Sequence, residues 1–234
     1  YQMLTLSKIS FDLLNIMRGG VSSDDDLMSL RQIEYWIHNT RALLIQREFD
    51  KRRSISSNIV QDLGCIDVSK VDASVCCGVT VGCSVVRTDV KIPNPIETAQ
   101  KDLITRVGSV SLTDRPYTFI PYQRAPYAGN GKYNGTELFA FLHDNYVYVM
   151  GKDSEKFKKI NIQGVFEDPT EIKTFKTCSG ALCYTNESEY PISAKHIEVL
   201  KEMILKTNFK LIVQAPTDVT GDAKSNPELM LNQR

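Results

Sequence analysis

The chain has 234 residues, of which 42% are hydrophobic and 24% are charged, the proportions of an ordinary soluble globular protein with ample length for a core. Its 28 basic residues (Lys and Arg) equal its 28 acidic residues (Asp and Glu), so no global charge draws it toward nucleic acid or membrane. No apolar run approaches the roughly 20 residues that span a bilayer, and the opening YQMLTLSKIS lacks the pattern of a secretory signal.

Two amphipathic helices are predicted at the start of the chain. Apolar residues recur at helical spacing over residues 5–18, with Thr5 as the N-cap and Gly19 at the position of a left-handed C-cap. The second helix is predicted over residues 29–52, because Ser29 opens a capping box. The residues predicted for its apolar face are Leu30, Ile33, Trp36, Ile37, Leu44 and Ile45.

The connection between these helices, GGVSSDDD at residues 19–26, has three possible interpretations. A phosphate-binding loop is disfavoured because no strand precedes the glycines and no Gly-Lys-Ser/Thr follows them. An EF-hand is disfavoured because adjacent aspartates lack the alternating spacing of its ligands. We interpret the segment as a corner between helices, whose aspartates suit the positive end of the next helix dipole.

Residues 57–168 are predicted to form a mainly antiparallel β region. The clearest hairpin pairs ELFAFL with YVYVM around a three-residue turn, His143 to Asn145. Alternating or β-branched runs predict further strands in the segments CIDVSKVDAS, CSVVRTDVKIP, GSVSL, YTFIPYQRA and KINIQGVF.

The predicted fold class is α+β: the N-terminal helix pair and a C-terminal helix pack together, with the β region inserted between them. This organisation has four parts. They are an N-terminal helical pair (1–56), a β-rich region (57–190), a C-terminal helix joining the helical part (191–215) and a flexible C-terminal arm (216–234).

The arm is predicted to bind a partner. It is too polar to fold alone, yet it carries a compact apolar patch that would be poorly placed in water. Such segments often become ordered only on binding, here against a neighbouring subunit or another component. The predicted partner-binding residues are Pro216, Thr217, Asp218, Leu229, Met230 and Leu231.

The six cysteines are predicted to be reduced, because disulfide scaffolds are usually short, secreted chains. A zinc site is the less favoured alternative, since none of the C-x2-C pairs of common structural sites is present and no histidine lies near. The cysteines are Cys65, Cys76, Cys77, Cys83, Cys178 and Cys183.

No catalytic, cofactor-binding or metal-binding residue is predicted. His38, His143 and His196 have no Cys, Ser or carboxylate at a catalytic spacing and are interpreted as surface or packing residues. The glycine-rich AGNGKYNG lacks the spacing of a phosphate-binding loop. The residues therefore favour a non-enzymatic scaffold or assembly protein.

Several segments of the chain resemble a family of phage proteins. LLNIMRGG and LRQIEYWIHNTRALLIQREFDK resemble the N-terminal helices of the head-to-tail adaptors of short-tailed phages, the tail tubular protein A family. The closer resemblance is to the head-to-tail adaptor (ring) structural protein of crAss-like gut phages, and it spans Leu6 to about Ala223. The segments that carry it include QDLGCIDVSKVDAS, CCGVTVGCSVVRT, IPNPIE, ITRVGSV, YTFIPYQRAPYAGNGKYN, AFLHDNYVYV, INIQGVFEDPTE and QAPTDVTGDA.

This resemblance implies a structural protein of the virion at the portal vertex, assembled in the cytoplasm of the host bacterium. Such adaptors form a homo-oligomeric ring, implied to be twelve-fold, that docks to the portal protein and receives the adjacent ring or tail protein. The ring extends the channel through which genomic DNA passes without sequence-specific binding. The resemblance implies no cofactor and no membrane, and it supplies no active-site residue.

Two alternatives stay open. The protein could be a tail-associated hydrolase or depolymerase, in which carboxylates such as Asp144 and Glu167 serve glycoside hydrolysis. It could also be a decoration or cargo protein of the same virion.

Overall fold

The computed structural model describes residues 4–19, 29–52, 54–72, 84–111, 113–128, 137–152 and 154–209. Helices stand at both ends of this part of the chain and a curled, mainly antiparallel sheet lies between them, which confirms the α+β prediction. The helices are α1 (Leu6–Met17), α2 (Leu30–Arg52) and α3 (Ala194–Ile204). The strands are β1 (Gln61–Asp62), β2 (Ile66–Asp72), β3 (Ser84–Thr88), β4 (Ile104–Ser109), β5 (Thr118–Phe119), β6 (Phe139–His143), β7 (Tyr146–Met150) and β8 (Lys159–Gly164).

The predicted caps of the first two helices are confirmed. The Thr5 hydroxyl accepts a hydrogen bond from the backbone N–H of Lys8 at 3.4 Å, and Ser29 does the same for Gln32 at 3.2 Å. Gly19 has φ +60°, the left-handed conformation expected after the last turn of α1. Apart from Gly19, the predicted corner at residues 19–26 lies outside the described residues.

The predicted apolar face of α2 is confirmed except at its start. Ile33 and Ile37 are fully buried, but Leu30 is 36% exposed. Leu30 occupies the first helical position, one turn before the first α2 residue of the buried helical cluster. The side chains of that cluster are Ile9, Leu13, Leu14, Ile33, Trp36, Ile37, Leu44, Tyr190, Ile192, Leu200 and Ile204.

The central strand of the sheet is β8. One of its edges pairs with β4, and the other pairs first with β1 and then with β2. From β2 the strand order continues through β3, β7 and β6 to β5, with β5 and β6 the parallel pair. The two ends of this order meet, because the N–H of Tyr117, just before β5, donates to the carbonyl of Val107 in β4 at 2.7 Å. The curled sheet therefore encloses an apolar interior.

The β6–β7 hairpin has a shorter turn than predicted. His143 pairs with Tyr146, so only Asp144 and Asn145 form the turn. Their φ angles of 49° and 61° are those of a type I′ turn, whose twist matches the twist of paired strands. The predicted three-residue turn is wrong, because a two-residue turn allows one more cross-strand pair, His143 with Tyr146.

The C-terminal helix begins later than predicted. Pro191 precedes it, since its carbonyl accepts a hydrogen bond from Arg41 and Ser193 is the N-cap. The helix ends in a π-helical turn, Leu205–Phe209. Residues 210–215 of the predicted helix lie outside the described residues.

Candidate functional site

A buried arginine joins the helices to the sheet. Arg41 is 0% exposed, in the middle of α2. Its Nε donates to the carbonyl of Pro191 at 2.7 Å, and its Nη1 donates to the carbonyl of Phe166, also at 2.7 Å. These carbonyls lie just before α3 and just after β8. One side chain therefore fixes α2 against both ends of the segment between β8 and α3.

The Arg41 guanidinium lies in an apolar and aromatic environment. Burial lowers its pKa from the ordinary value, while Tyr190, Tyr184 and Asp168 oppose the shift. Its Cζ lies 5.7 Å from the centre of the Tyr190 ring. Within the described residues, Nη2 has no hydrogen-bond partner. An arginine stays protonated even here, so its charge is held by two carbonyls and a ring face.

His38 adds further polar contacts next to those of Arg41. Its Nδ1 lies 2.8 Å from the Tyr190 hydroxyl, and its Nε2 lies 3.7 Å from Asp168. Burial lowers the pKa of His38, with Asp168 acting in the opposite direction, and burial raises the pKa of Tyr190. A neutral imidazole hydrogen-bonded to a protonated phenol suits packing between helix and sheet.

The other two histidines lie in separate places. His196 Nε2 is 3.3 Å from Glu48, whose pKa is lowered mainly by a hydrogen bond from Lys195. The His143 ring stacks on that of Tyr122 at 4.4 Å between centroids. The structure therefore does not bring the three histidines together into one site.

The two carboxylates of the hydrolase alternative are both at the surface. Asp144 lies in the hairpin turn, 3.1 Å from Lys91 Nζ and with its side chain 70% exposed. Glu167 follows β8, and its backbone N–H donates to the carbonyl of Asn94 at 2.9 Å. Glu167 lines a groove beside α2, and Asp144 does not line that groove.

The prediction of reduced cysteines is wrong for one pair. Cys65 and Cys178 form a disulfide with a Cα–Cα distance of 5.1 Å, whereas Cys183 is a free thiol. The N–H of Cys65 donates to the carbonyl of Lys176, which aligns two segments whose cysteines are 113 residues apart. Cys76, Cys77 and Cys83 lie outside the described residues. In the described part of the chain, no group of three or more His, Cys, Asp and Glu residues could hold a metal ion.

The outer face of α2 carries a second, exposed stripe that sequence reasoning missed. Tyr35 is 59% exposed and Leu43 is 45% exposed, and both lie on the side of α2 away from Ile33 and Ile37. Spacings of seven and eight residues, from Tyr35 to Ala42 and Leu43, were the available signal in the sequence, and the longer run of apolar residues on the opposite face outweighed it.

Ala42 and Leu43, but not Tyr35, form part of one wall of a groove of about 470 Å³. We name it the α2 groove and define it by the residues that line it: Asn39, Ala42, Leu43, Gln46, Ile96, Glu97 and Glu167. Its wall and floor are partly apolar, and both of its charged residues are glutamates. Such a surface can bind an apolar segment.

The residues predicted from the arm, Pro216, Thr217, Asp218 and Leu229–Leu231, lie outside the described residues. No described helix is both long enough and apolar enough to cross a membrane.

The chain was compared with known proteins. A family model described as phage tail ring protein 2, of the crAss-like phages, matches residues 8–228. No curated protein matches the chain significantly. The family match covers nearly all of the sequence, both the helices and the sheet. The chain therefore belongs to the phage tail ring protein 2 family.

Proposed function

We propose that this tail ring protein forms a head-to-tail connector, a homo-oligomeric ring of twelve copies that docks to the portal protein. The ring extends the DNA channel and receives the next ring or tail protein. It is assembled in the cytoplasm of the host bacterium and takes its place at the portal vertex of the virion. The role is structural and non-enzymatic, and it requires no cofactor and no membrane.

Beyond the family match, the observation that carries this proposal is the exposed α2 groove, whose helix is fixed against the sheet. A closed ring requires two unlike surfaces on every copy, because each subunit contacts its two neighbours in different ways. Tyr35 and Leu43 provide exposed apolar surface, while Arg41 on the same helix fixes α2 against the sheet. A rigid helix that presents an apolar stripe to solvent is a suitable contact between subunits.

The C-terminal arm is the second contact in this proposal. Pro216, Thr217 and Asp218 lead into it, and Leu229, Met230 and Leu231 anchor it on a neighbouring subunit or the portal. Removal of residues 217–234 is expected to preserve helix and sheet content and the melting temperature. The same truncation is expected to weaken self-assembly or binding to portal rings.

Genomic DNA passes through the proposed channel without sequence-specific contacts. The balance of 28 basic and 28 acidic residues agrees with a channel that holds DNA only loosely. Binding that depended strongly on DNA sequence would contradict this part of the proposal.

Electron microscopy tests the ring directly. Purified full-length protein is imaged alone and mixed with purified portal protein, and the rotational symmetry of the particles is counted. Rings of twelve subunits, stacked coaxially on the portal, are expected. Particles that stay monomeric in both samples, or rings that never bind the portal, would refute the proposal.

A further inference from the structure

We propose that the α2 groove of one copy binds residues 227–231, PELML, from the C-terminal arm of the neighbouring copy. This inference rests on the ring proposed above and specifies the contact that joins one subunit to the next. An arm on one side and a groove on the other are the unlike surfaces that a closed ring requires.

The groove is preformed by rigid elements. Ile96 is held between two backbone hydrogen bonds, from its own N–H to Val165 at 2.9 Å and from Leu103 to its carbonyl at 3.0 Å. Ala42 packs on the buried cluster that joins α2 to the sheet. Leu43 on the same wall remains 45% exposed. Covering it with apolar side chains of an arm would remove this surface from water.

The charge of the groove is negative. Its two charged residues are Glu97 and Glu167, and the carboxyls of Asp102 and Glu171 interact with them. Burial and then Glu97 raise the pKa of Asp102, and burial, Asp168 and Glu167 raise the pKa of Glu171. These upward shifts include repulsion between like charges, so a positive group brought to this rim would be attracted.

The arm carries a compact apolar patch with charges of both signs near it. Lys224 and Arg234 stand on either side of the patch Leu229–Leu231 in the sequence, and Glu228 directly precedes it. Three adjacent apolar residues fit a short apolar groove, and Met230 is a flexible side chain that adapts to irregular surfaces. In the bound arm Lys224 and Arg234 would face Glu97 and Glu167, whereas Glu228 would point to solvent.

The length of the arm allows it to reach a neighbour. The last described residue is Phe209, which is 18 positions before Pro227. An extended chain of that length spans up to about 60 Å, more than the width of a small domain. The arm follows α3 in the chain. α3 packs in the buried helical cluster, and the groove lies on the other side of α2 from that cluster.

Two full-length variants test the contact by complementation. Leu43→Asp damages the groove and leaves the arm intact, whereas a combined Leu229→Ser, Met230→Ser and Leu231→Ser variant damages the arm and leaves the groove intact. Each alone is expected to fail to form rings. Mixed together, they are expected to form pairs with twice the mass of one chain, because one intact arm meets one intact groove. Analytical ultracentrifugation measures the masses.

Val199→Asp is the matched control, since Val199 is also a half-exposed apolar residue on a helix, at 41%, but lies outside the groove. It is expected to assemble like wild type. If Leu43→Asp or the arm variant formed normal rings, or if the mixture formed no pairs, the inference would be wrong.

A peptide experiment separates this inference from the ring proposal. A fluorescent peptide of residues 222–234 is titrated into the full-length arm variant, whose own arm cannot compete. Adding Leu43→Asp to that variant is expected to weaken peptide binding by roughly tenfold or more. Unchanged binding overturns the inference while wild-type rings still support the proposed function. Wild type that never forms rings overturns the proposed function, and the peptide then decides on the groove alone.

Discussion

The guanidinium of Arg41 and the backbone carbonyl of Phe166 form a fully buried hydrogen bond of 2.7 Å that links the middle of α2 to the end of β8. Together with the bond to Pro191, it makes one side chain a buried polar connection between helices and sheet.

Arg41→Ala is expected to destabilise the protein by about 3 kcal/mol, because it leaves two buried carbonyls without donors and opens a cavity. Urea unfolding followed by circular dichroism measures the change. Lys51→Ala, an exposed residue in the last turn of the same helix, is the control and should change stability little. A loss at Arg41 no larger than that of the control would show that the buried hydrogen bonds contribute nothing net.

His38 is expected to make stability depend on pH. Burial lowers its pKa below the ordinary 6.5, so the unfolded chain takes up a proton at a higher pH than the folded chain does. The contribution of His38 to the free energy of unfolding is therefore fully present above about 6.5 and decreases as the pH falls below it.

The measurement is the urea unfolding free energy of wild type and His38→Gln at about pH 7.5 and about pH 5.5. Wild type should lose more stability than the variant on acidification, and the difference isolates His38 from carboxylates such as Glu48. His143→Gln serves as the comparison at a ring-stacked surface site. Equal losses in wild type and His38→Gln would contradict the expectation.

Gly64 and Gly180 provide a matched pair of substitutions. Both have positive φ, +71° and +88°, but a Cβ at Gly64 would lie 2.3 Å from the carbonyl oxygen of Lys176, whereas none of the described atoms lies within 4 Å at Gly180. Gly180→Ala is expected to cost about 1 kcal/mol from backbone conformation alone. Gly64→Ala adds a steric clash and is expected to cost roughly 3 kcal/mol or more.

Thermal and urea unfolding of both variants test this difference. If the two substitutions cost the same, the close approach of Gly64 to the Lys176 segment would not exist in solution. The result matters for the fold, because this approach places the segment that carries Cys178 beside the start of β2.

Local features of the fold could be predicted from the sequence, whereas long-range ones could not. Thr5 and Ser29 cap their helices through bonds to residues three positions away, so the sequence pattern contains the whole interaction. The partners of Arg41 lie 125 and 150 positions away, and only the folded chain brings them together. The α2 groove was missed for the same reason, since Ile96 and Glu167 complete a surface that begins on α2.

The last prediction concerns the disulfide between Cys65 and Cys178. It joins positions 113 residues apart, and closing so long a loop restricts the unfolded chain. On the chain-entropy account, its loss should destabilise the protein by about 5 kcal/mol. Reductant is therefore expected to lower the melting temperature of wild type but not of a Cys65→Ser, Cys178→Ser double variant. Cys183→Ser keeps the disulfide and should respond to reductant as wild type does, because Cys183 is a free thiol. Alkylation of denatured, unreduced protein followed by peptide mass spectrometry shows directly whether Cys65 and Cys178 are bonded to each other. Recovery of Cys65 and Cys178 as two alkylated thiols, together with a melting temperature indifferent to reductant, would show that the two residues are close but unbonded.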